Sequence, residues 1–199
     1  MGVEGADPSE QELKEIRTLV GKEVEYIGLD DVDTVCLQKI KTDDVYVSKF
    51  FKHTFDHPGP QVEAATKMIM NTLKWRKEFG AGLITESDFP PAMLEKGSLF
   101  SHIRDKDGRK LLVFCGVKHF KGMEKMEDMK KFFIYLLERL NREEKGEQIT
   151  LIFDCKGAGL KNMDMEFVQF LIGSMKEYYP DPLNYILVFE MPWVFNGIP

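Results

Sequence analysis

Apolar residues recur every three or four positions through the first part of the chain, a spacing that predicts α-helices. The predicted helices are one around Leu13–Val20, a short one from Asp33, one over Asp44–Phe55 and a long amphipathic one over Gln61–Phe79. Turn-forming residues separate them, with Pro58-Gly59-Pro60 after the third helix and Gly80 after the fourth. The first part therefore reads as a helical lobe, which we place at residues 1–96.

From residue 97 onward the pattern changes to alternation and short apolar runs, which predict β-strands. The predicted strands are Leu99–Arg104, Lys110–Val117, Ile149–Phe153 and Tyr185–Phe189, with helices around Met129–Leu140 and Met165–Tyr178 between the later ones. Asp107-Gly108 between the first two strands favours a hairpin turn. Strand, helix and strand in succession favour parallel pairing. The fold class is therefore α/β, a mixed sheet with packed helices over residues 97–199.

Strand periodicity leaves one question open. Successive residues of a strand point to opposite faces, so a cavity on one face of the sheet would be lined either by Leu112 and Phe114 or by Val113 and Cys115. We expect the other face to be covered by the helices around Phe133 and Phe170.

The charge balance narrows the classes of partner. The chain has 27 basic and 33 acidic residues and a net charge of -6, which weighs against nucleic acid as a partner. The stretch containing Lys110, Lys118, Lys121 and Lys125 is locally basic and would suit either a solvated face or transient contact with an anionic lipid surface. No apolar run approaches the roughly 18 residues of a membrane helix. Three cysteines without metal-type spacing favour a reducing, cytoplasmic setting.

The residues that could carry catalysis or bind a cofactor do not form a complete motif. The loop with Gly157 and Gly159 follows a strand, as in dinucleotide-binding proteins, but Asn162 stands where the third glycine belongs. His53 and His57 have metal-ligand spacing, yet Pro58 indicates that the helix frays there, so we expect no metal site. No activated nucleophile is recognisable. We therefore expect neither an enzyme nor a bound cofactor.

Four segments in the same order as in one known family carry a resemblance. They are Trp75-Arg76-Lys77-Glu78-Phe79, Asp105-Lys106-Asp107-Gly108-Arg109, Asp154-Cys155-Lys156-Gly157-Ala158-Gly159-Leu160 and Tyr178-Tyr179-Pro180. In these segments the chain resembles the CRAL-TRIO lipid-binding family. The resemblance implies that the chain carries one hydrophobic molecule, such as a phospholipid or phosphoinositide, in a pocket between the sheet and a mobile gate helix.

The resemblance also assigns candidate ligand residues, although the same apolar residues would equally serve as core. The pocket candidates are Leu112, Phe114, Leu151, Phe153, Phe167, Phe170, Leu171, Leu187 and Phe189. The candidates for contact with a lipid headgroup are Asp154, Lys156, Gly159 and Lys161. Gly159 and Lys161 stand where relatives that bind phosphatidylcholine place serines, so headgroup choice does not transfer.

The family's gate helix would follow the junction at Pro192, whereas the sequence ends at Pro199. We therefore expect the gate region to be absent and the pocket to lack its lid. Apolar residues including Trp193 and Phe195 would then be exposed and would favour self-association. The alternative function is a protein-interaction or membrane-contact scaffold without a ligand, and a nucleotide-dependent oxidoreductase ranks third.

Overall fold

The computed structural model describes residues 6–191, which form seven α-helices and four β-strands. The helices are α1 (Glu10–Ile27), α2 (Thr34–Thr42), α3 (Asp44–His53), α4 (Gln61–Phe79), α5 (Pro91–Lys96), α6 (Met126–Glu143) and α7 (Met165–Tyr178). The strands are β1 (Leu99–Arg104), β2 (Lys110–Cys115), β3 (Ile149–Asp154) and β4 (Leu183–Phe189). The predicted α/β fold with a helical first part is confirmed.

Helix ends differ from the predicted ends where capping residues and turns intervene. Asp43 accepts a hydrogen bond from the backbone nitrogen of Tyr46 and caps α3, which ends at His53, two residues earlier than predicted. Ser9 and Glu12 form a reciprocal capping box that begins α1. The strand predicted to reach Val117 ends at Cys115, because the chain turns into a single 3-10 turn over Gly116–Lys118.

The chain divides into two compact units. Among the described residues, the first contains residues 6–80 and 174–181, and its core is built from buried side chains of α1 to α4 such as Ile16, Phe50 and Ile69. The second contains residues 81–173 and 182–191 and holds the sheet. The domain boundary predicted at residue 97 stays a prediction, because compact units defined by contacts need not be domains that fold separately.

The sheet has the strand order β1-β2-β3-β4. β1 pairs antiparallel with β2, and β2, β3 and β4 are parallel to one another. The predicted hairpin is present: the backbone nitrogen of Asp105 donates to the carbonyl of Arg109, and Gly108 adopts a φ of 81°. The three parallel strands therefore end at the same edge of the sheet, as the pattern of strand, helix and strand predicts.

One face of the sheet packs against α6 and α7. The rings of Phe114 on β2 and Phe167 on α7 lie 5.7 Å apart, and Phe133 on α6 contacts Phe170 on α7 edge to face. We call this face the helix face. Leu112, Leu151 and Phe133 are completely buried between the layers. The helices around Phe133 and Phe170 therefore cover this face over β2 and β3, as predicted, whereas Ile186 and Val188 on its β4 part are each 46% exposed.

Candidate functional site: the two faces of the sheet

Six of the predicted pocket residues lie in the core on the helix face. Cα pairing places Leu112 beside Leu151 and Phe114 beside Phe153, so these four side chains point the same way. Phe167 and Leu171 of α7 meet them from the helix layer. All six are at most 8% exposed, so the structure brings them together as tightly packed core.

The other three pocket candidates are less buried, and one of them lies apart from the other two. Phe170 is half-buried and packs against Phe133 in the helix layer. Leu187 and Phe189 lie on β4, are 48% and 52% exposed, and occupy the opposite face of the sheet. The predicted set is therefore divided between two surfaces.

The face opposite the helices carries an apolar row that crosses all four strands. Phe100 of β1 pairs with Val113, Val113 pairs with Ile152, and Ile152 pairs with Leu187. Phe100 is 38% exposed, whereas Val113 and Ile152 are half-buried. We call this face the open face. Three strand spacings make the row roughly 14 Å long, a span comparable to the hydrocarbon part of a lipid.

Further residues extend the open face along β4. Tyr185 and Phe189 flank Leu187 and are each about half exposed, while Cys115 and Asp154 pair at the last position of their strands beside Phe189. Of the two sets that periodicity allowed, Val113 and Cys115 thus lie on the less buried face. Residues that only fill a core are buried, so a continuous, half-exposed apolar surface of this kind is unusual for them.

The headgroup candidates lie in the loop that follows β3. The Asp154 carboxylate accepts a hydrogen bond from the backbone nitrogen of Lys156, whose Nζ lies 3.8 Å from Glu190. Gly159 has an extended backbone and donates its N–H to Oδ1 of Asn162. Lys161 Nζ lies over the ring of Phe120 at 5.3 Å. The loop therefore places two exposed lysines at the edge where the parallel strands end.

Asn162 and His119 lie behind this loop. Asn162 is 4% exposed, and its Nδ2 donates to the backbone carbonyl oxygens of His119 at 2.7 Å and Val117 at 3.4 Å. Neither residue was predicted as part of the site. Their proximity follows from the parallel pairing of β2 with β3, which brings together the loops that leave the two strands.

His119 is itself 2% exposed and packs against the rings of both Phe114 and Phe167, which also contact each other. Its nitrogens make no hydrogen bond among the described residues, although Nε2 lies 3.9 Å from the Asp164 carboxylate. Burial lowers the pKa of the His119 imidazole below its usual value, and this outweighs the opposing effect of Asp164. The neutral ring therefore suits its apolar surroundings.

Among the described residues, the glycine loop and the two histidines lie in settings unlike those of a nucleotide site or a metal site. Gly157 has a φ of 70° and Gly159 is extended, and α7 begins only at Met165, so this loop does not lead straight into a helix as a dinucleotide-binding loop does. His53 is bound to the backbone of Lys176 and Asp181, and His57 lies beyond the end of α3. No group of three metal-ligating side chains occurs in residues 6–191.

Two further properties bear on catalysis and on membranes. Burial is the main cause that raises the pKa of the Cys155 thiol, so this side chain is not activated as a nucleophile. Within the part of the chain that the structure describes, no helix has both the length and the apolar character needed to cross a bilayer.

Comparison with known proteins decides the family. The sequence model of the CRAL/TRIO domain matches residues 94–198, which is more than half of the chain and includes the whole sheet. The chain belongs to the CRAL-TRIO domain family. The family resemblance drawn from the four sequence segments is thereby confirmed.

Several curated proteins are similar to this CRAL-TRIO chain. CRAL-TRIO domain-containing protein C3H8.02 of Schizosaccharomyces pombe is 29% identical over 148 residues, covering 69% of this chain and 33% of that protein. The phosphatidylinositol transfer protein CSR1 of Eremothecium gossypii is 27% identical over 107 residues, covering 53% and 24%. Patellin-1 of Arabidopsis thaliana is 25% identical over 194 residues, covering 89% and 33%. The chain thus spans a third or less of these relatives.

Proposed function

We propose that this CRAL-TRIO chain binds a hydrophobic ligand of the phospholipid or phosphoinositide class and passes it between membranes. The observation that carries the proposal is the apolar row on the open face, Phe100, Val113, Ile152 and Leu187, which runs across four strands and stays partly exposed. Covering a side chain of this size contributes up to about 2 kcal/mol in hydrophobic free energy. A hydrocarbon chain lying along the row would gain several such contributions.

In this proposal the buried pocket candidates form the core of the fold and do not contact the ligand. Leu112, Leu151 and Phe167 are completely buried, so a ligand could reach them only by displacing α7 from the sheet. Displacing close-packed side chains costs several kcal/mol for each large residue exposed. We therefore propose that the ligand lies on the open face, where Leu187 and Phe189 of the predicted set lie, with the buried residues as the core behind it.

The loop after β3 supplies the polar end of the proposed site. Asp154 ends the strand next to Phe189, and Lys156 and Lys161 are exposed in the loop that follows. An ammonium group suits a phosphate as a point charge, so these lysines fit the phosphate groups of a phospholipid or phosphoinositide. The name of the relative from Eremothecium gossypii, a phosphatidylinositol transfer protein, supports this class of headgroup.

The proposal assigns carriage and not catalysis to the chain. It accords with the resemblance to the family, with the raised pKa of the Cys155 thiol and with three free cysteines, a pattern typical of proteins in a reducing cytoplasmic setting. We also propose a finer likeness within the family. Asp164–Val168 and the segment from Phe189 to Asn196 resemble the CRAL-TRIO domain of motile sperm domain-containing protein 2. Residues 192–196 of that segment, with Trp193 and Phe195, lie outside the described residues.

Native mass spectrometry tests the proposal. The chain is expressed in cells, purified without detergent and compared with an unrelated protein of similar size that is purified in the same way. We expect added masses that correspond to one phospholipid or phosphoinositide per chain, and the same lipids in a solvent extract. A chain that carries no lipid, and that takes up no fluorescent phosphatidylinositol or phosphatidylcholine from vesicles, would overturn the proposal in favour of a scaffold.

A further inference from the structure

Two loops at the end of the parallel strands form one exposed surface. The first, residues 116–125, follows β2, and the second, residues 155–163, follows β3. The backbone nitrogen of Lys121 donates to the carbonyl of Lys161 at 3.1 Å, and the buried side chain of Asn162 ties the second loop to the carbonyls of Val117 and His119. The loops therefore keep a fixed arrangement. We call their exposed part the lysine rim.

The charge of the lysine rim is opposite to that of the whole chain. It contains five lysines and one acidic residue, whereas the chain has a net charge of -6; the lysines are Lys118, Lys121, Lys125, Lys156 and Lys161. All five are exposed. The one acidic residue, Glu124, is paired with Lys96, and Lys156 lies near Glu190. No ion pair among residues 6–191 involves the other four lysines.

Apolar side chains stand among these lysines. Met123 and Leu160 are 71% and 70% exposed, and Val117 is 41% exposed. Residues at loop tips are usually polar, so exposed apolar side chains at these positions depart from the common pattern. Exposed apolar tips surrounded by lysines fit an anionic membrane surface: the lysines meet the lipid phosphates and the apolar tips enter the interface.

We infer that the lysine rim is the surface by which the chain docks on anionic membranes. A bilayer is favoured over an acidic protein because it accepts both kinds of side chain at once, its phosphates meeting the lysines while the apolar tips enter the interface. The rim also borders the open face, since Cys115, Asp154 and Phe189 end their strands at the same edge. The inference goes beyond the proposed function, because docking requires no bound ligand.

Vesicle co-sedimentation tests the inference. Vesicles of phosphatidylcholine alone are compared with vesicles in which one third of the lipid is phosphatidylserine. We expect binding to the anionic vesicles only, weakened by added salt. Because a lysine at such a surface contributes about 1 kcal/mol, the double variant Lys121→Glu with Lys161→Glu should weaken binding at least roughly tenfold. Its matched control, Lys22→Glu with Lys41→Glu, changes two exposed lysines of α1 and α2 by the same charge and should bind to the same extent as wild type.

The apolar part of the rim has its own pair of variants. Leu160→Ser should weaken binding several-fold, because an interfacial leucine is lost. Leu83→Ser removes a leucine elsewhere that is even more exposed, at 84%, and should have no effect. Circular dichroism and thermal melting establish that each variant is folded.

Two results would overturn the inference: equal binding to neutral and anionic vesicles, or equal loss in the rim variants and their controls. Failure of the proposed function would show up separately, as absence of lipid in mass spectrometry of a chain that still binds anionic vesicles through the rim. The opposite combination, a lipid-loaded chain whose vesicle binding ignores Lys121 and Lys161, would remove the inference and leave the proposed function intact.

Discussion

The side-chain nitrogen Nδ2 of Asn162 donates a hydrogen bond to the backbone carbonyl oxygen of His119 over 2.7 Å, joining two loops that are 43 residues apart in sequence. Oδ1 of the same amide accepts the N–H of Gly159. Asn162→Ala would leave these buried groups without partners, which costs about 1–3 kcal/mol for each pair lost. We expect the free energy of unfolding in urea to fall by about 2–4 kcal/mol.

An exposed asparagine supplies the control for this change. Asn71 lies on the surface of α4, and Asn71→Ala should alter the free energy of unfolding by less than about 0.5 kcal/mol. If the two variants unfold at the same urea concentration, Asn162 does not hold the loops together.

A second prediction concerns the ion pair of Asp33 and Arg76 in the first unit. Oδ2 of Asp33 lies 3.0 Å from Nε of Arg76, and Oδ1 accepts the N–H of Cys36 at the start of α2. Asp33→Asn keeps the cap and loses the charge, so we expect a loss of about 1–3 kcal/mol. Asp33→Ala removes the cap as well and should cost about 1 kcal/mol more.

Chemical denaturation of both variants measures this difference, with Asp31→Asn as an exposed control that should stay within about 0.5 kcal/mol of wild type. Equal losses for Asp33→Asn and Asp33→Ala would show that the carboxylate stabilises the fold through its charge alone.

His119 should make stability depend on pH near neutrality. Burial lowers its pKa in the folded chain, Asp164 and Glu124 oppose that change, and Lys96 adds to it. The unfolded chain, whose histidine titrates near pH 6.5, therefore binds a proton that the folded chain does not as the pH falls below about 6.5. The free energy of unfolding should decrease there by at most about 1.4 kcal/mol per pH unit and be unaffected by this group above about pH 7.5.

Urea unfolding at intervals between about pH 5.5 and pH 7.5 measures the slope, with the pH range chosen around the ordinary histidine pKa. The slope should diminish in His119→Phe, which preserves an aromatic ring against Phe114 and Phe167. His102→Gln, at an exposed position of β1, serves as the control. A slope that persists in His119→Phe would assign the pH dependence to other groups.

The sequence allows the elements and their order to be predicted because periodicity is a local property. Helix α7 begins at Met165 and ends at Tyr178, and α4 spans Gln61–Phe79, both as predicted. The end of β2 was missed because Gly116 and Val117 continue an apolar run while the backbone turns. Hydropathy does not register such a turn.

The division of the candidate site between two faces could not be predicted in the same way. Leu112 and Val113 are equally apolar neighbours, and which of them is buried depends on the side from which α6 and α7 pack. The contact between His119 and Asn162 could have been predicted from the sequence, because loops that follow adjacent parallel strands leave the sheet at the same edge. Their burial, in contrast, depends on side chains of α7 such as Phe167.

The last prediction separates the open face from the helix face as the place where the lipid binds. Leu187 is 48% exposed, so Leu187→Ser should cost less than about 1 kcal/mol of stability while removing part of the apolar row. We expect the fraction of chains that retain lipid in native mass spectrometry to fall several-fold. Leu151→Met changes a completely buried neighbour while nearly conserving its volume, so it should cost less than about 1.5 kcal/mol and leave lipid retention unchanged.

The two assignments differ in what they predict for Leu187→Ser, because Leu151 and Leu187 lie on adjacent strands but face opposite sides of the sheet. A lipid held between the sheet and α7 would contact Leu151 and would be insensitive to Leu187. Full lipid retention in Leu187→Ser would therefore move the ligand to the helix face, beside Phe114, Phe153 and Phe167, whereas Leu151→Met is a volume-conserving control that keeps that face apolar. Thermal melts of both variants are needed so that lipid loss is not mistaken for unfolding.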